Sequence, residues 1–323
     1  MSTLTPDPAA PVAIERRGIR LGDLLFKGVA GVAALGVTAV LGFLTYKIFA
    51  LAWPAMQKYG LSFIWTEAWN PNTNVYGALT FIYGTIVTSF IALLLATPLS
   101  IAIALFLTEL APRRLASPIA TMVELLAAIP SVVLGLWGIL VFGPWIANHL
   151  EPWLQSWFGF LPIFSGDPSQ AGLLPAALVL TIMIIPITSA ICRELFSRVP
   201  HDLTDGSLAL GSTRWEAIRR VALPYAAPGI SAAFLLGLGR AFGEAIAVTQ
   251  VIGSGNAINR SLFPPGDTLA SRIASTYQGA SNNIEVQSLL YLGAILLVVS
   301  LITNVSAQAI VNRFQKARRM STG

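Results

Sequence analysis

Arg240 and Glu244 are the residues with the clearest chemical potential in this chain. They sit in "GLGRAFGEAIAV" (Gly237–Val248), whose surroundings carry almost no other charge. A spacing of four on a helix puts both side chains on one face, close enough to pair. A guanidinium presents a planar fork of donors that suits a tetrahedral oxyanion, and a neighbouring carboxylate would hold that fork in place. An arginine at the centre of a membrane helix costs about 2.5–3.5 kcal/mol even on the mild insertion scale, so it faces a bundle interior or a wet cavity. Two readings stay open at this point. One is a structural ion pair that orients the helix. The other is an anion site on a translocation path, with Glu244 holding the guanidinium.

Glu124 is a further acid in an apolar run. It stands five residues into a span predicted from Ile119, about 8 Å deep at the helical rise. From there it would reach water, pair with a neighbour, or take part in the path. Lys47 lies far enough along the first span to snorkel to the outer surface.

These residues need elements to hold them, and composition says which. The chain has 323 residues, is 55% hydrophobic and only 11% charged, with a mean hydropathy of +0.71. A soluble domain carries about a quarter charged residues, so the chain reads as all-α and integral to a membrane. Six runs are long enough to span: about Gly28–Trp53, Leu79–Leu107, Ile119–Ile146, Leu173–Cys192, Gly229–Ile252 and Val286–Val311. Arg240 falls 11 residues past Gly229, roughly 16 Å into a core of about 30 Å. Gly239, Gly243 and Ala247 form a small-xxx-small row beside it, which would admit another helix closely.

Basic residues set the direction. Fifteen of the 20 Lys and Arg fall on one side: Arg16, Arg17, Arg20 and Lys27, then Arg113 and Arg114. The set continues with Arg193, Arg198, Arg214, Arg219 and Arg220, and ends with Arg313, Lys316, Arg318 and Arg319. Lys58, Arg260 and Arg272 fall on the other. That bias predicts both termini on the cytoplasmic side. The net charge of +5 then reflects topology, and no nucleic-acid partner is expected. The organisation expected is an N-terminal cytoplasmic segment over 1–27, a first span and outer loop over 28–74, a core over 75–312, and a basic tail over 313–323. The first 27 residues lack the short apolar core and cleavage site of a signal peptide. The stretch 147–172, with Trp145, Trp153, Trp157, Phe158 and Phe160 in or beside it, reads as an interfacial outer loop, and Gly253–Glu285 as a long irregular one.

Several chemistries are excluded. The single Cys192 allows no internal disulfide framework. His149 and His201 fall on opposite sides of the membrane, so there is no histidine cluster. No carboxylate cluster offers a metal site, and no G-x-x-x-x-G-K-[ST] offers a phosphate cradle. The chain reads as a conduit, with no cofactor of its own.

The inner loop Arg193–Pro228 carries the other signal. Thr213 and Glu216 make a capping box opening "TRWEAIRRVALP", whose helix is predicted to stop at Pro224. A short helix around Leu203–Leu210, ended by Gly211, precedes it. Such an exposed helix pair suits docking into a groove of a soluble partner.

This loop resembles the signature of permease subunits of bacterial ABC importers. That signature opens Glu-Ala-Ala, places a Gly four residues on, and closes Ile-x-Leu-Pro ten residues later. Here stand Asp205-Gly206-Ser207, then Gly211, then Val221-Ala222-Leu223-Pro224. Asp keeps the acid of the opening, Gly206 departs from it, and Val replaces Ile. "ELLAAIPSVVLGLWG" (Glu124–Gly138) and "GLGRAFGEAIAV" resemble the phosphate-specific permeases, and among them the first of the two Pst permease subunits. The resemblance covers roughly residues 75–312.

It implies a six-helix type I ABC importer permease fold in the bacterial plasma membrane, paired with a second permease, two cytoplasmic ATPases that bind ATP and Mg, and an extracytoplasmic phosphate-binding protein. It also implies that Arg240 and Glu244 line the phosphate path, with Glu124 a weaker member. Asp205, Gly206, Ser207, Leu210, Gly211, Leu223 and Pro224 would couple to the ATPase. The alternatives are a same-fold permease for another oxyanion or small solute, and a secondary or proton-coupled transporter. The second is disfavoured by the docking loop.

Overall fold

Hydrocarbon offers backbone N–H and C=O no partner, so long apolar runs fold as helices. The computed structural model describes residues 21–321. Arg16, Arg17 and Arg20 lie outside the described residues, as do the side chains of Arg113, Arg313, Lys316, Arg318 and Arg319. Six described helices are long and apolar enough to cross a membrane: Leu24–Tyr59, Leu79–Leu110, Ser131–Phe158, Leu173–Ser197, Arg214–Gly243 and Asn283–Ala309.

In chain order the elements are α1 (Leu21–Tyr59), a two-stranded antiparallel hairpin of β1 (Trp69–Asn70) and β2 (Val75–Tyr76), and α2 (Leu79–Leu110, its last turn a π turn). Next come α3 (Arg113–Ala128), α4 (Ser131–Phe158), α5 (Leu173–Ser197) and α6 (His201–Ala209). The chain closes with α7 (Arg214–Gly243), α8 (Ile246–Val251), α9 (Leu269–Thr276) and α10 (Asn283–Ser321).

The chain divides into two compact units, Met1–Lys47 and Ile48–Gly323. In the first, the described part of α1 is apolar and exposed, with Val32 and Leu35 bare. Lys47 lies over the Phe43 ring, one turn back.

In the second unit, α5 is the most enclosed span, with 67% of its apolar window buried. It is therefore the centre of the bundle. α2 runs parallel to it, with Gly84 beside Leu173 and Ser100 bonded to Thr188, and small or hydroxyl residues such as Ala92, Ala96, Ala177 and Thr181 are buried along the two helices. Such residues let helix backbones approach closely. Thr85, Thr88 and Thr181 return their hydroxyls to carbonyls four residues back at 2.7–2.8 Å. Ser100 and Thr188 bond each other across the seam at 2.5 Å.

Two span assignments from sequence are corrected. The third was expected over Ile119–Ile146. Pro130 lacks an N–H and holds Ile129 in an extended conformation (φ −66°, ψ 126°), so the helix breaks there. Glu124 consequently stands on a separate amphipathic helix, α3, and its depth inside a third span no longer applies. The spanning helix α4 begins at Ser131 and runs through π turns at Gly138–Phe142 and Ile146–Leu150 to Phe158. Half of the expected outer loop 147–172 is thus helix.

The fifth span was expected over Gly229–Ile252, with a separate helix ending at Pro224. One helical run, Arg214–Gly243, replaces both. A π turn at Ile218–Ala222 puts Pro224 in the first turn of the α-helix that follows, where a missing N–H breaks nothing.

The expected irregular loop 253–285 is also more ordered than its turn signals suggest. It contains α9, capped by Thr268 and Ser271, and its chain folds back into the bundle. Leu174 N–H donates to Leu262 O at 2.9 Å and Gly266 N–H to Ile252 O at 3.0 Å. Buried non-helical backbone needs such internal partners. Gly84 on α2 makes room for it, since a Cβ there would lie 1.9 Å from Asp267 O.

Candidate functional site

Helix α7 runs antiparallel to α5, with Gly229 against Leu195 and Gly237 against Ile184 and Thr188. Ile230 and Ala233 fill the seam between these glycines, and Ala226 continues it on the other side of Gly229. Thr188 and Ile184 would lie 3.2 and 3.1 Å from a Cβ at Gly237, so a side chain there would push the helices apart. Of the row expected from sequence, Ala247 alone meets another helix: it is buried, and a Cβ on Gly135 of α4 would lie 2.9 Å from its Cα. Gly239 and Gly243 are exposed with nothing within 4 Å of a built Cβ, so they form no helix contact among the described residues. The seam residues repeat at helical spacing, a signal present in the sequence but masked by the glycines nearest the charges.

One residue past that exposed Gly239 stands Arg240. Ile184 is the twelfth of 25 residues of α5, so Arg240, close beside its contact Gly237, sits about midway along the central helix. The mid-span depth holds, although α5's register supplies it and not the expected start at Gly229. The Arg240 Nε is buried and has no hydrogen-bond partner. Among the described residues the side chain forms no ion pair. It lines a cavity of about 460 Å³ with Ile184, Ile187, Leu235, Leu236, Gly237, Gly239 and Asn304. No carboxylate lines that cavity.

The pair with Glu244 does not form. Helix α7 ends at Gly243, and Glu244 is extended (φ −73°, ψ 109°), so the spacing of four no longer places the two on one face. The Glu244 Oε1 instead accepts the Ala247 N–H at 3.2 Å, capping the first turn of α8. A carboxylate at a helix N-terminus is stabilised by about 0.3–1 kcal/mol, and a cation in a helix's last turn similarly. Arg240 stands in the last turn of one helix and Glu244 just ahead of the first turn of the next. The glycines at 237, 239 and 243 weaken α7 where it stops.

Glu124 has a partner of another kind. It hydrogen-bonds and ion-pairs with Arg193 near the end of α5. The pair lines a groove of about 590 Å³ with Thr108, Ala190, Ile191, Glu194 and Ser197. This groove is distinct from the Arg240 cavity, and the pair ties α3 to the segment leading into α6.

At that end the expected helix–Gly–helix element is present. Asp205 and Gly206 are exposed on α6 and Ser207 is half-buried. Ser207 and Ser212 bond each other at 2.5 Å across the turn. Gly211 takes φ +89°, a left-handed conformation that excludes most side chains. The capping box expected at Thr213 and Glu216 is formed in both directions. Leu210 is 92% exposed and Trp215 65%, so a bare apolar knob stands just before the turn and a bare ring just after it. Leu223 and Pro224 are half-buried where α7 turns regular.

Sequence reasoning missed three polar sites. Arg272, counted as an outer-loop charge, is 8% exposed. Its guanidinium lies 4.7 Å from the Phe81 ring centre and 5.8 Å from that of Trp69, hydrogen-bonds Asn256, and places Nε 3.0 Å from Asp267 Oδ2. That approach brings the charges together without hydrogen-bond geometry, since both atoms lack such a partner. Burial raises the Asp267 pKa from its ordinary 3.8, against the lowering pull of Arg272. Glu151 is fully buried; its Oε2 accepts the Ser169 N–H at 2.6 Å and its Oε1 has no partner. The third is Asn304, a lone amide in "SLITNVSA", which the depth rule applied to Arg240 would have flagged.

Residues 96–316 match the family described as binding-protein-dependent transport system inner membrane component. The chain is 43% identical over 288 residues, 88% of each chain, to the phosphate transport system permease protein PstC of Mesorhizobium japonicum. It is 41% identical to that of Pasteurella multocida, over 91% of this chain and 93% of the relative. The solved bacterial alginate ABC transporter in complex with alginate pentasaccharide-bound periplasmic protein aligns with TM-score 0.61 at 17% identity, covering 93% of this chain and 99% of that one. That likeness shows the fold alone: a six-helix, type I ABC importer permease. The chain belongs to the family of binding-protein-dependent transport system inner membrane components.

Proposed function

We propose that this chain is a permease subunit that passes inorganic phosphate through an ATP-driven importer. The observation that carries the reading is Arg240: a mid-span guanidinium with a buried, unpartnered Nε, lining a cavity that holds no carboxylate. A structural arginine is neutralised by its neighbours, whereas one left unpaired in a cavity can bind a passing oxyanion by a bidentate fork. The relatives named as phosphate transport system permeases supply the ion. Membership of the family removes the secondary-transporter alternative.

In this reading both termini face the cytoplasm, and the chain pairs with a second permease. A phosphate-binding protein delivers the ion from outside. ATP and Mg belong to two cytoplasmic ATPases that grip α6 and its turn, from Asp205 through Gly211, with Leu210 as the inserted knob. Leu223 and Pro224 carry that motion along α7, whose last turn holds Arg240. Glu124, through Arg193, keeps α3 moving with α5 and α6 and is not itself a stop for the ion. Glu244 fixes the break after Arg240 by capping α8. A conducting site must also release its ion. A single arginine in a half-open cavity meets that need without a carboxylate beside it.

The test is uptake of radiolabelled phosphate and sulfate by cells that lack their own phosphate importer and carry this complex. Phosphate alone should accumulate, and Arg240→Gln should assemble but accumulate it on the order of 100-fold more slowly. Equal sulfate uptake would overturn the ion assignment, and normal uptake by Arg240→Gln would overturn the path.

A further inference from the structure

We propose that Asn304 is a second ligand for the travelling anion, and the one that accepts a hydrogen bond from its protonated oxygen. The inference rests on the reading of Arg240 as a stop on the path. Of the eight residues lining the 460 Å³ cavity, Arg240 and Asn304 are the two with polar side chains.

Asn304 stands on α10, the helix opposite. Leu301, Ile302 and Val305 around it are exposed, while Asn304 itself is half-buried. Its polar neighbours on the same helix satisfy themselves locally: Thr303 donates to Val299 O and Ser288 to Ile284 O, both at 2.7 Å. The Asn304 amide makes no such bond among the described residues. A half-buried amide with no bond of its own keeps a donor and an acceptor free, and the cavity it shares with Arg240, whose buried Nε has no partner, is where one ligand could meet both. Pockets of this form, mostly apolar with a few converging polar groups, are the usual shape of a small-ligand site.

The chemistry gives the two residues different tasks. A guanidinium only donates. Phosphate near neutral pH keeps at least one P–OH, which needs an acceptor. Asn304 offers Oδ1 to that hydroxyl and Nδ2 to a phosphoryl oxygen, so the protonated ion can have both ends satisfied. An unprotonated tetrahedral dianion has nothing to give to Oδ1.

The experiment is uptake of radiolabelled phosphate by cells carrying the complex with Asn304→Asp, Asn304→Leu or Asn304→Ser, beside Arg240→Gln, with assembled complex measured for each. Asn304→Asp is nearly isosteric but sets a negative charge against the ion, and uptake should fall more than tenfold with assembly intact. Asn304→Leu should lose about tenfold, as expected for a hydrogen bond to a charged group. Asn304→Ser, which keeps a donor and an acceptor, should stay within about threefold of the parent, a rescue that a packing role would not give. Parental uptake by Asn304→Asp overturns the proposal even if Asn304→Leu does not assemble. If Arg240→Gln lowers uptake on the order of 100-fold in the same assay, the path reading survives that result. Parental uptake by Arg240→Gln would instead remove the path itself.

Discussion

Arg272 and Arg240 are arginines of one bundle treated in opposite ways. Arg272 is neutralised: the Asp267 carboxylate lies 3.0 Å from its Nε, the Asn256 amide accepts from its guanidinium, and the faces of Phe81 and Trp69 flank it, although its Nε, like that of Arg240, has no hydrogen-bond partner. Arg240 has a buried Nε with no partner and an open cavity in front of it. The first arrangement spends the charge on holding the loop 253–268 and α9 to α2. The second leaves the charge available. A buried charge alone is therefore a poor sign of function; what distinguishes the two is whether the protein has already supplied the counter-charge.

Substitutions can break this contrast. The largest effect belongs to Arg240→Gln. Losing a bidentate pair of charged hydrogen bonds, at about 1.5–3 kcal/mol each, should cut phosphate uptake on the order of 100-fold while thermal stability of the purified complex stays near parental. Arg272→Met should do the reverse. It strands the buried Asp267 carboxylate, costing about 3–5 kcal/mol, and should lower the melting temperature or the yield of assembled complex. Uptake per assembled complex should fall far less. If the two variants behaved alike, the division between an available and a spent arginine would be lost.

Smaller changes sharpen the picture. Gly211→Val forces a β-branched residue into φ +89°, at about 1–2 kcal/mol of local strain. The turn that presents Leu210 should shift, and ATP hydrolysis should no longer drive uptake. Parental coupling would mean that this turn is not the docking element. Glu244→Gln removes a charge from the cap of α8, worth about 0.3–1 kcal/mol. Uptake should fall only a few-fold, and a loss as deep as that of Arg240→Gln would restore the ion pair. The weakest effect is on pH. The folded state raises the Asp267 pKa above 3.8 because burial disfavours the charge. Its contribution is complete below 3.8 and is lost as pH rises through the raised value. Melting temperature should decline across that interval, and Asp267→Asn should flatten the slope.

Much of this was legible before any fold was known. The six long apolar runs could be nothing but helices, and the Thr213–Glu216 cap was readable letter by letter. Gly211 marked the turn between two short helices because its neighbours on both sides had helical pattern. The errors cluster at prolines and at Glu244. Pro130 ended a helix while Pro224 did not, and the difference is a π turn that no local pattern announces. Glu244 was read as a partner because helical spacing was assumed through Gly243, and one broken residue turned it toward Ala247. Asn304 was overlooked although it carried the same signal as Arg240.

By itself the sequence determined the solvent and the secondary structure, since hydrocarbon forbids unsatisfied backbone and rewards apolar length locally. It also placed an arginine deep in a span. Whether that arginine is spent or free was decided only by the tertiary structure. Partnership depends on which side chains from α5, α7 and α10 converge across a distance in space, and residues sixty positions apart in the chain share a cavity for reasons that no window of the sequence contains.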